Sequence, residues 1–256
     1  MGECGKVVRK LSCRDALSLS KLEGKYKGEP IVIMGNSSSL LTHDLSSLAR
    51  IITIGCNRAM RHASFVPDYL MISDREPYSQ ELEAGRLRLA YDKGVKILLS
   101  DTIFDSKVRC VRLGGDKERE LQAMPYLDFK WYHWRVSQGA APINFHSFSY
   151  ELASFANIAG PMLQAAVIMG ASVVGCVGID MAWPKDTQSH FFGSGADVGA
   201  YPFSALERTM ANFITAKQKL KALGIPVYNL SPVKGTPFAQ CFGTSSFSDF
   251  GRIFCK

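Results

Sequence analysis

A chain of 256 residues with 46% hydrophobic and 21% charged residues has the size and balance of one large α/β domain or two small ones. Such a length buries about 70–75% of the unfolded surface without help from disulfides or metal. Disorder, collagen-like repeats and coiled coils are excluded, and no apolar run reaches the ~18 residues of a membrane span. The net charge of +7 is uneven, since residues 1–28 hold seven Lys/Arg against three Asp/Glu and so carry +4 of it.

The opening stretch, MGECGKVVRKLSCRDALSLS, is basic but lacks the apolar core of a signal peptide, which predicts a cytoplasmic protein. Residues 1–28 read as a solvated basic arm. The sharper alternative is an arm that touches an acidic substrate or an anionic membrane, peripherally at its inner face. No nucleic-acid motif accompanies it, so no nucleic-acid partner is expected.

Residues 29–256 read as a single domain. Strands are predicted at 30–34 (PIVIM), 51–55 (IITIG), 69–72 (YLMI) and 95–99 (VKILL), with a further one at 108–113. A helix is predicted over 79–93 and another over 156–170, before a buried strand at 172–178 (SVVGCVG). A long helix over 204–223 and a strand at 225–229 (IPVYN) complete the pattern. Continuous apolar strands separated by helices indicate a Rossmann-like α/β fold: a mainly parallel sheet with helices on both faces. Ligands of such sheets sit beyond the carboxyl ends of the strands, where this chain carries Asn36, Asn57, Asp74, Asp101 and Asp180. Those residues suit a nucleotide site and equally suit caps for the turns and helices that follow.

Two regions interrupt the alternation. Residues 124–150 concentrate aromatic side chains around Trp131, Tyr132 and Trp134, read as core in preference to a sugar-stacking lid. Residues 180–203 form a long polar connection, a lid-like segment. The seven cysteines are odd in number and contain no CxxC, which argues for a reducing compartment and against a disulfide framework or zinc site. Cys56 and Cys176 lie in apolar runs and read as small core residues. The histidines show no metal-ligand spacing, and His43, His62 and His146 suggest only ordinary surface or core roles.

The turn after the first strand, Gly35-Asn36-Ser37-Ser38-Ser39, is the most informative local feature. A glycine there permits a tight turn, whose successive N–H groups and hydroxyls can surround a phosphate or sugar oxygen. It matches neither the dinucleotide fingerprint nor the P-loop.

Gly35-Asn36-Ser37-Ser38-Ser39-Leu40, then Cys56-Asn57-Arg58, then Asp68-Tyr69 and Ser73-Asp74, resembles the start of a compact bacterial sialyltransferase family. The likeness continues through Gly160–Gly170, Val177-Gly178-Ile179-Asp180, Ser189-His190-Phe191 and Val227-Tyr228-Asn229-Leu230-Ser231-Pro232. The set is also similar to a related Rossmann-like family that includes archaeal 6-hydroxymethyl-dihydropterin pyrophosphokinases. The sialyltransferase resemblance implies a nucleotide-sugar site with Asn36, Asn57 and the Ala159-Gly160 turn near the nucleotide of a CMP-sugar. It also implies Asp180 near the donor sugar and His190 as general base. The chain departs from that pattern at Ala159, where the family has Ser, and at Met181, Ala182 and Trp183, where it has tyrosines.

These readings predict a metal-independent glycosyltransferase that moves a sugar, sialic-acid-like or other, from a nucleotide donor to a hydroxyl of a glycan or small-molecule acceptor. Its catalytic residues would be His190 and Asp180. Its nucleotide-binding set would be Gly35, Asn36, Ser37, Ser38, Asn57, Arg58, Ser73, Asp74, Ala159 and Gly160. A neutral imidazole with an ordinary pKa near ~6.5 can take a hydroxyl proton at neutral pH. Arg58 and Lys185 are candidates to stabilise the departing phosphate. No metal or resident cofactor is expected. One alternative is a pyrophosphokinase acting on a small pterin-like alcohol, with Mg²⁺ held by Asp74 and Asp180. Another is a catalytically silent nucleotide- or sugar-binding protein.

Overall fold

The computed structural model describes residues 17–103, 130, 132–137, 142–181, 190–193, 203–231 and 233–254. Ten strands lie among them: β1 (Pro30–Met34), β2 (Ile52–Cys56), β3 (Tyr69–Ile72), β4 (Lys96–Ser100), β5 (Tyr132–Trp134), β6 (Val136–Ser137), β7 (Leu152–Ala153), β8 (Val173–Val177), β9 (Val227–Asn229) and β10 (Gly243–Thr244). The α-helices are α1 (Arg75–Glu83), α2 (Arg86–Asp92), α3 (Ala159–Ile168), α4 (Phe203–Ala222), α5 (Pro237–Cys241) and α6 (Phe247–Phe254).

Eight strands form one sheet in the order β10-β9-β8-β1-β2-β3-β4-β5, and all of its pairings are parallel. β6 and β7 make a separate parallel pair. Every residue of β1 and β8 is buried, as strands covered on both faces require. Alternate side chains of β1 divide between two cores. Ile31 and Ile33 pack with Leu163 and Ala166 of α3 and Phe213 of α4. Val32 and Met34 join the other core, with Leu87 of α2 and Phe250 of α6. The protein is therefore an α/β fold with helices on both faces of a mainly parallel sheet.

The chain leaves β1 toward β2–β5 on one side and returns through β8 on the other, so strand order reverses at β1. In open α/β sheets that reversal opens a crevice beyond the carboxyl ends of the strands.

Several details differ from the sequence expectation. The predicted helix over 79–93 is two helices, α1 and α2, separated at Gly85, whose φ of 70° is left-handed. The predicted helix over 156–170 starts at Ala159, because Ala156 takes a left-handed φ of 56°. Tyr132–Trp134, read as part of an aromatic cluster, pairs with β4 as an edge strand. The predicted strand at 108–113 lies outside the described residues, as does most of the 180–203 connection. Residues 17–28 pack against the body. Leu19 and Leu22 are buried, and the amides of Gly24, Tyr26 and Gly28 donate to the carbonyls of Ile168, Met169 and Gly170. That strap satisfies carbonyls which the carboxyl end of α3 leaves open. Among the described residues no helix is long and apolar enough to cross a membrane.

Candidate functional site

At the crevice between β1 and β8, a cleft of about 280 Å³ opens beyond the carboxyl ends of β1, β2, β3 and β8. Gly35, Asn36, Ser37, Asn57, Asp74, Ala159 and His190 line it, together with the 156–158 loop, Cys56, Gly178, Ile179 and Met181.

The turn after β1 is locked to the turn after β8. The Gly35 amide donates to the Val177 carbonyl at 2.9 Å, and the Ser37 amide to the Gly178 carbonyl at 3.0 Å. The Ser37 hydroxyl accepts from the Asp180 amide at 3.2 Å. A Cβ on Gly35 would lie 2.1 Å from the Gly178 oxygen, so the close approach excludes any side chain. The expected cradle of free amides is thereby corrected: the N–H groups of Gly35 and Ser37 are consumed by the fold. Turned to the cleft is the Asn36 side chain, whose Oδ1 is buried with no hydrogen-bond partner among the described residues.

Asn57 follows β2 with a left-handed φ of 44°, a conformation asparagine tolerates. Its Oδ1 accepts from the Ser73 amide at 3.3 Å, and the Ser73 hydroxyl donates to Asp74 Oδ2 at 2.7 Å. Asn57 and Ser73 thus orient the Asp74 carboxylate on the cleft wall. Asn57, Ala156 and Met181 are the described non-glycine residues with positive φ, and all three line the cleft. Such conformations cost on the order of 1–3 kcal/mol each and persist where surrounding structure enforces them, characteristically at functional sites.

The amino end of α3 closes one side. Asn157 Oδ1 accepts from the Ala159 amide at 2.7 Å, capping the first turn. Ile158 and Ala159 face the cleft. Gly160 is a packing residue, since a Cβ there would lie 2.3 Å from the Phe155 ring.

His190 meets the β1 turn through a bridge to Ser37, and the next amide, of Phe191, donates to the Asn36 carbonyl at 3.0 Å. Its ring stacks on Phe192 at 5.0 Å and 24°. The guanidinium carbons of Arg58 and Arg61 lie 5.7 and 5.1 Å from the same Phe192 ring. Burial, and secondarily the Arg58 charge, hold the His190 pKa below its ordinary value. The imidazole is therefore neutral at neutral pH, as a proton acceptor must be.

The remaining expected residues fall elsewhere. Ser38, Ser73, Arg58, Gly160 and Asp180 are not on the cleft wall. Arg58 is engaged by Glu76 at 3.0 Å and by Gln80 at 2.9 and 3.0 Å, so its guanidinium braces α1. Asp180 is only 6% exposed and its Oδ1 has no hydrogen-bond partner among the described residues. Its charge acts on His43, whose pKa burial nonetheless lowers. Asp180 does not line the cleft that Asp74 lines, and among the described residues no three His, Cys, Asp or Glu gather as a metal site. Asp101 is structural: its Oδ1 accepts from Ser100 at 3.1 Å and from the Val136 amide at 3.3 Å. Lys185 lies outside the described residues. Asn157 and Met181 were missed by sequence reasoning. An asparagine two residues before a helix is the signal that could have found the first.

Comparisons with protein-family models, curated proteins and solved structures return no match for this chain.

Proposed function

We propose that the cleft carries out metal-independent transfer of a sugar from a nucleotide donor, foremost a CMP-sugar, to a hydroxyl of a glycan or small-molecule acceptor. The observation that carries this reading is a neutral, half-buried His190 sharing one cleft with Asn36, Asn57 and Asp74 at the reversal of strand order.

In this reading His190 takes the acceptor proton as the hydroxyl oxygen bonds to the anomeric carbon. The bond from that carbon to the nucleotide phosphate breaks, and the nucleotide departs with the electron pair. The orphaned Oδ1 of Asn36 accepts from a base amine or ribose hydroxyl. The amides of Gly35 and Ser37 are occupied, so the phosphate charge goes to the amino end of α3, where the helix dipole favours anions. Asp180, off the cleft wall, anchors the two turns through its backbone amide. We locate this chemistry in the cytoplasm, where the buried free thiols of Cys56, Cys176 and Cys241 stay reduced.

A thermal-shift series with CMP, CMP-sugars, UDP-sugars and ATP, each with EDTA and with Mg²⁺, tests the reading. CMP and a CMP-sugar should raise the melting temperature equally with and without chelator, and Asn36→Ala should abolish the rise. Stabilisation by ATP only with Mg²⁺ would transfer the cleft to a pyrophosphokinase. No stabilisation by any nucleotide would sink the assignment.

A further inference from the structure

A second cavity, of about 620 Å³, lies beside α2 and the turn after β2. Its walls combine Arg61, Arg86 and Lys93 with His62, Phe65 and Leu89. Glu81, fully buried, binds Nε of Arg61 at 2.7 Å and Nε of Arg86 at 2.6 Å. Arg86 Nη2 also donates to Glu81, at 3.2 Å, and Arg61 Nη2 donates to Gln80, at 3.2 Å. These bonds use one edge of each guanidinium, and among the described residues no acceptor meets Nη1 of either. Among the described residues the Lys93 ammonium has no hydrogen-bond or ion-pair partner either, and the His62 Nδ1 is buried with none. Three cations thus line the cavity, and Glu81 pairs with two of them, Arg61 and Arg86. Two are fixed in place by it, so binding an anion costs them little side-chain entropy. Beside these cations the wall is greasy: Leu89 is 46% and Val66 38% exposed.

From this juxtaposition we propose that the cavity binds an oxyanion carried on an apolar body, the phosphate or carboxylate head of an amphiphile. The head sits on the free guanidinium edges and Lys93, and the tail lies along Phe65, Val66 and Leu89. Charge-assisted contacts to an arginine pair favour such heads over neutral ones. His62 also touches Phe191, at 5.3 Å between ring centres, so the site shares a wall with the His190 loop. The inference stands whether or not the cleft holds a nucleotide.

Calorimetry on the full chain tests it, with octyl phosphate, inorganic phosphate and octanol as titrants. Octyl phosphate should bind at least about tenfold more tightly than inorganic phosphate, and octanol not at all. Lys93→Glu and Leu89→Asp change exposed residues and should keep the wild-type melting temperature. Each should weaken octyl phosphate at least about tenfold while leaving any CMP binding unchanged. Sedimentation with phosphatidylglycerol vesicles, lost in Lys93→Glu, would identify a lipid head as the source. Octyl phosphate binding without sedimentation would identify a soluble amphiphile. Equal affinity for inorganic and octyl phosphate, or octyl phosphate binding that survives both substitutions, overturns the proposal.

Discussion

Gln164 and Asn36 are both carboxamides beside the central strands, and they are used in opposite ways. Gln164, fully buried, accepts from the amides of Asn144 and Ala153 and donates to the carbonyls of Ala153 and Gly160. Its hydrogen-bonding capacity is spent stitching the 144–153 segment to α3. Asn36 has a buried Oδ1 that no described residue meets. The carboxylates repeat the contrast, since Glu81 is saturated by two arginines and Asp180 keeps an Oδ1 without a partner. A buried polar atom left unmade costs about 1–3 kcal/mol. Satisfied polarity builds the scaffold, and unsatisfied polarity collects at the carboxyl end of the sheet, where the described left-handed residues other than glycine also collect.

The contrast can be broken by substitution. The largest effect is expected at the junction of the two turns: Gly35→Ala sets a methyl against the Gly178 oxygen and should cost about 4 kcal/mol or more. A variant that unfolds in urea like the parent would disprove that close approach. His190→Ala should lower the turnover of a confirmed donor–acceptor pair by roughly 10²–10⁴-fold, the usual worth of a positioned base. Donor affinity should hold, as a base acting on the acceptor implies; steady-state kinetics with separate donor titrations decide this. Gln164→Leu leaves three buried backbone groups unpaired, the amides of Asn144 and Ala153 and the carbonyl of Ala153, and should cost about 3 kcal/mol in denaturant unfolding. Asn36→Ala should cost less than about 0.5 kcal/mol, and equal losses for the two would erase the distinction drawn above.

The smallest effect concerns acid. Burial lowers the pKa of His43, His62, His133 and His190 in the folded protein. The unfolded chain therefore binds more protons as pH falls through the ordinary histidine value near ~6.5, and stability should drop there. The acid limb of turnover should lie below that value, because neutral His190 survives to lower pH. Arg58→Gln removes a charge that opposes protonation of His190 and should move its titration upward. A histidine NMR titration that shows no upward movement would remove Arg58 from that role.

The strands were legible because burial on both faces writes them as uninterrupted apolar runs. The reading of 30–34 and 69–72 agrees with β1 and β3 to the residue. The break at Gly85 and the late start of α3 were illegible because each depends on a left-handed residue whose neighbours enforce it. β5 was hidden by its aromatic composition, and β10 by its two-residue length. At the site, the strand-end rule found Asn36, Asn57 and Asp74, whose backbone positions alone bring them to the cleft. The same rule also offered Asp101 and Asp180, which lie off the cleft wall, and Arg58, a candidate to stabilise the departing phosphate, braces α1 instead, because the direction of a side chain depends on partners such as Gln80 and Glu76 that no local pattern reveals. The free amides expected after β1 failed for the same reason, their acceptors being carbonyls about 140 residues away.

That distance has a consequence for the order in which the protein comes into being. β1 pairs with β2 from the next segment of chain, but its other edge waits for β8, from Pro30↔Val173 to Met34↔Val177. During synthesis the wing from β1 to β4 is complete long before residue 173 leaves the ribosome. Through that interval an apolar strand destined for the middle of the sheet stands as an open edge, able to template pairing with another chain. The residues 24–28 strap waits for the same moment, since its acceptors are the last carbonyls of α3. Any chain halted before β8 carries this bare edge as its permanent surface.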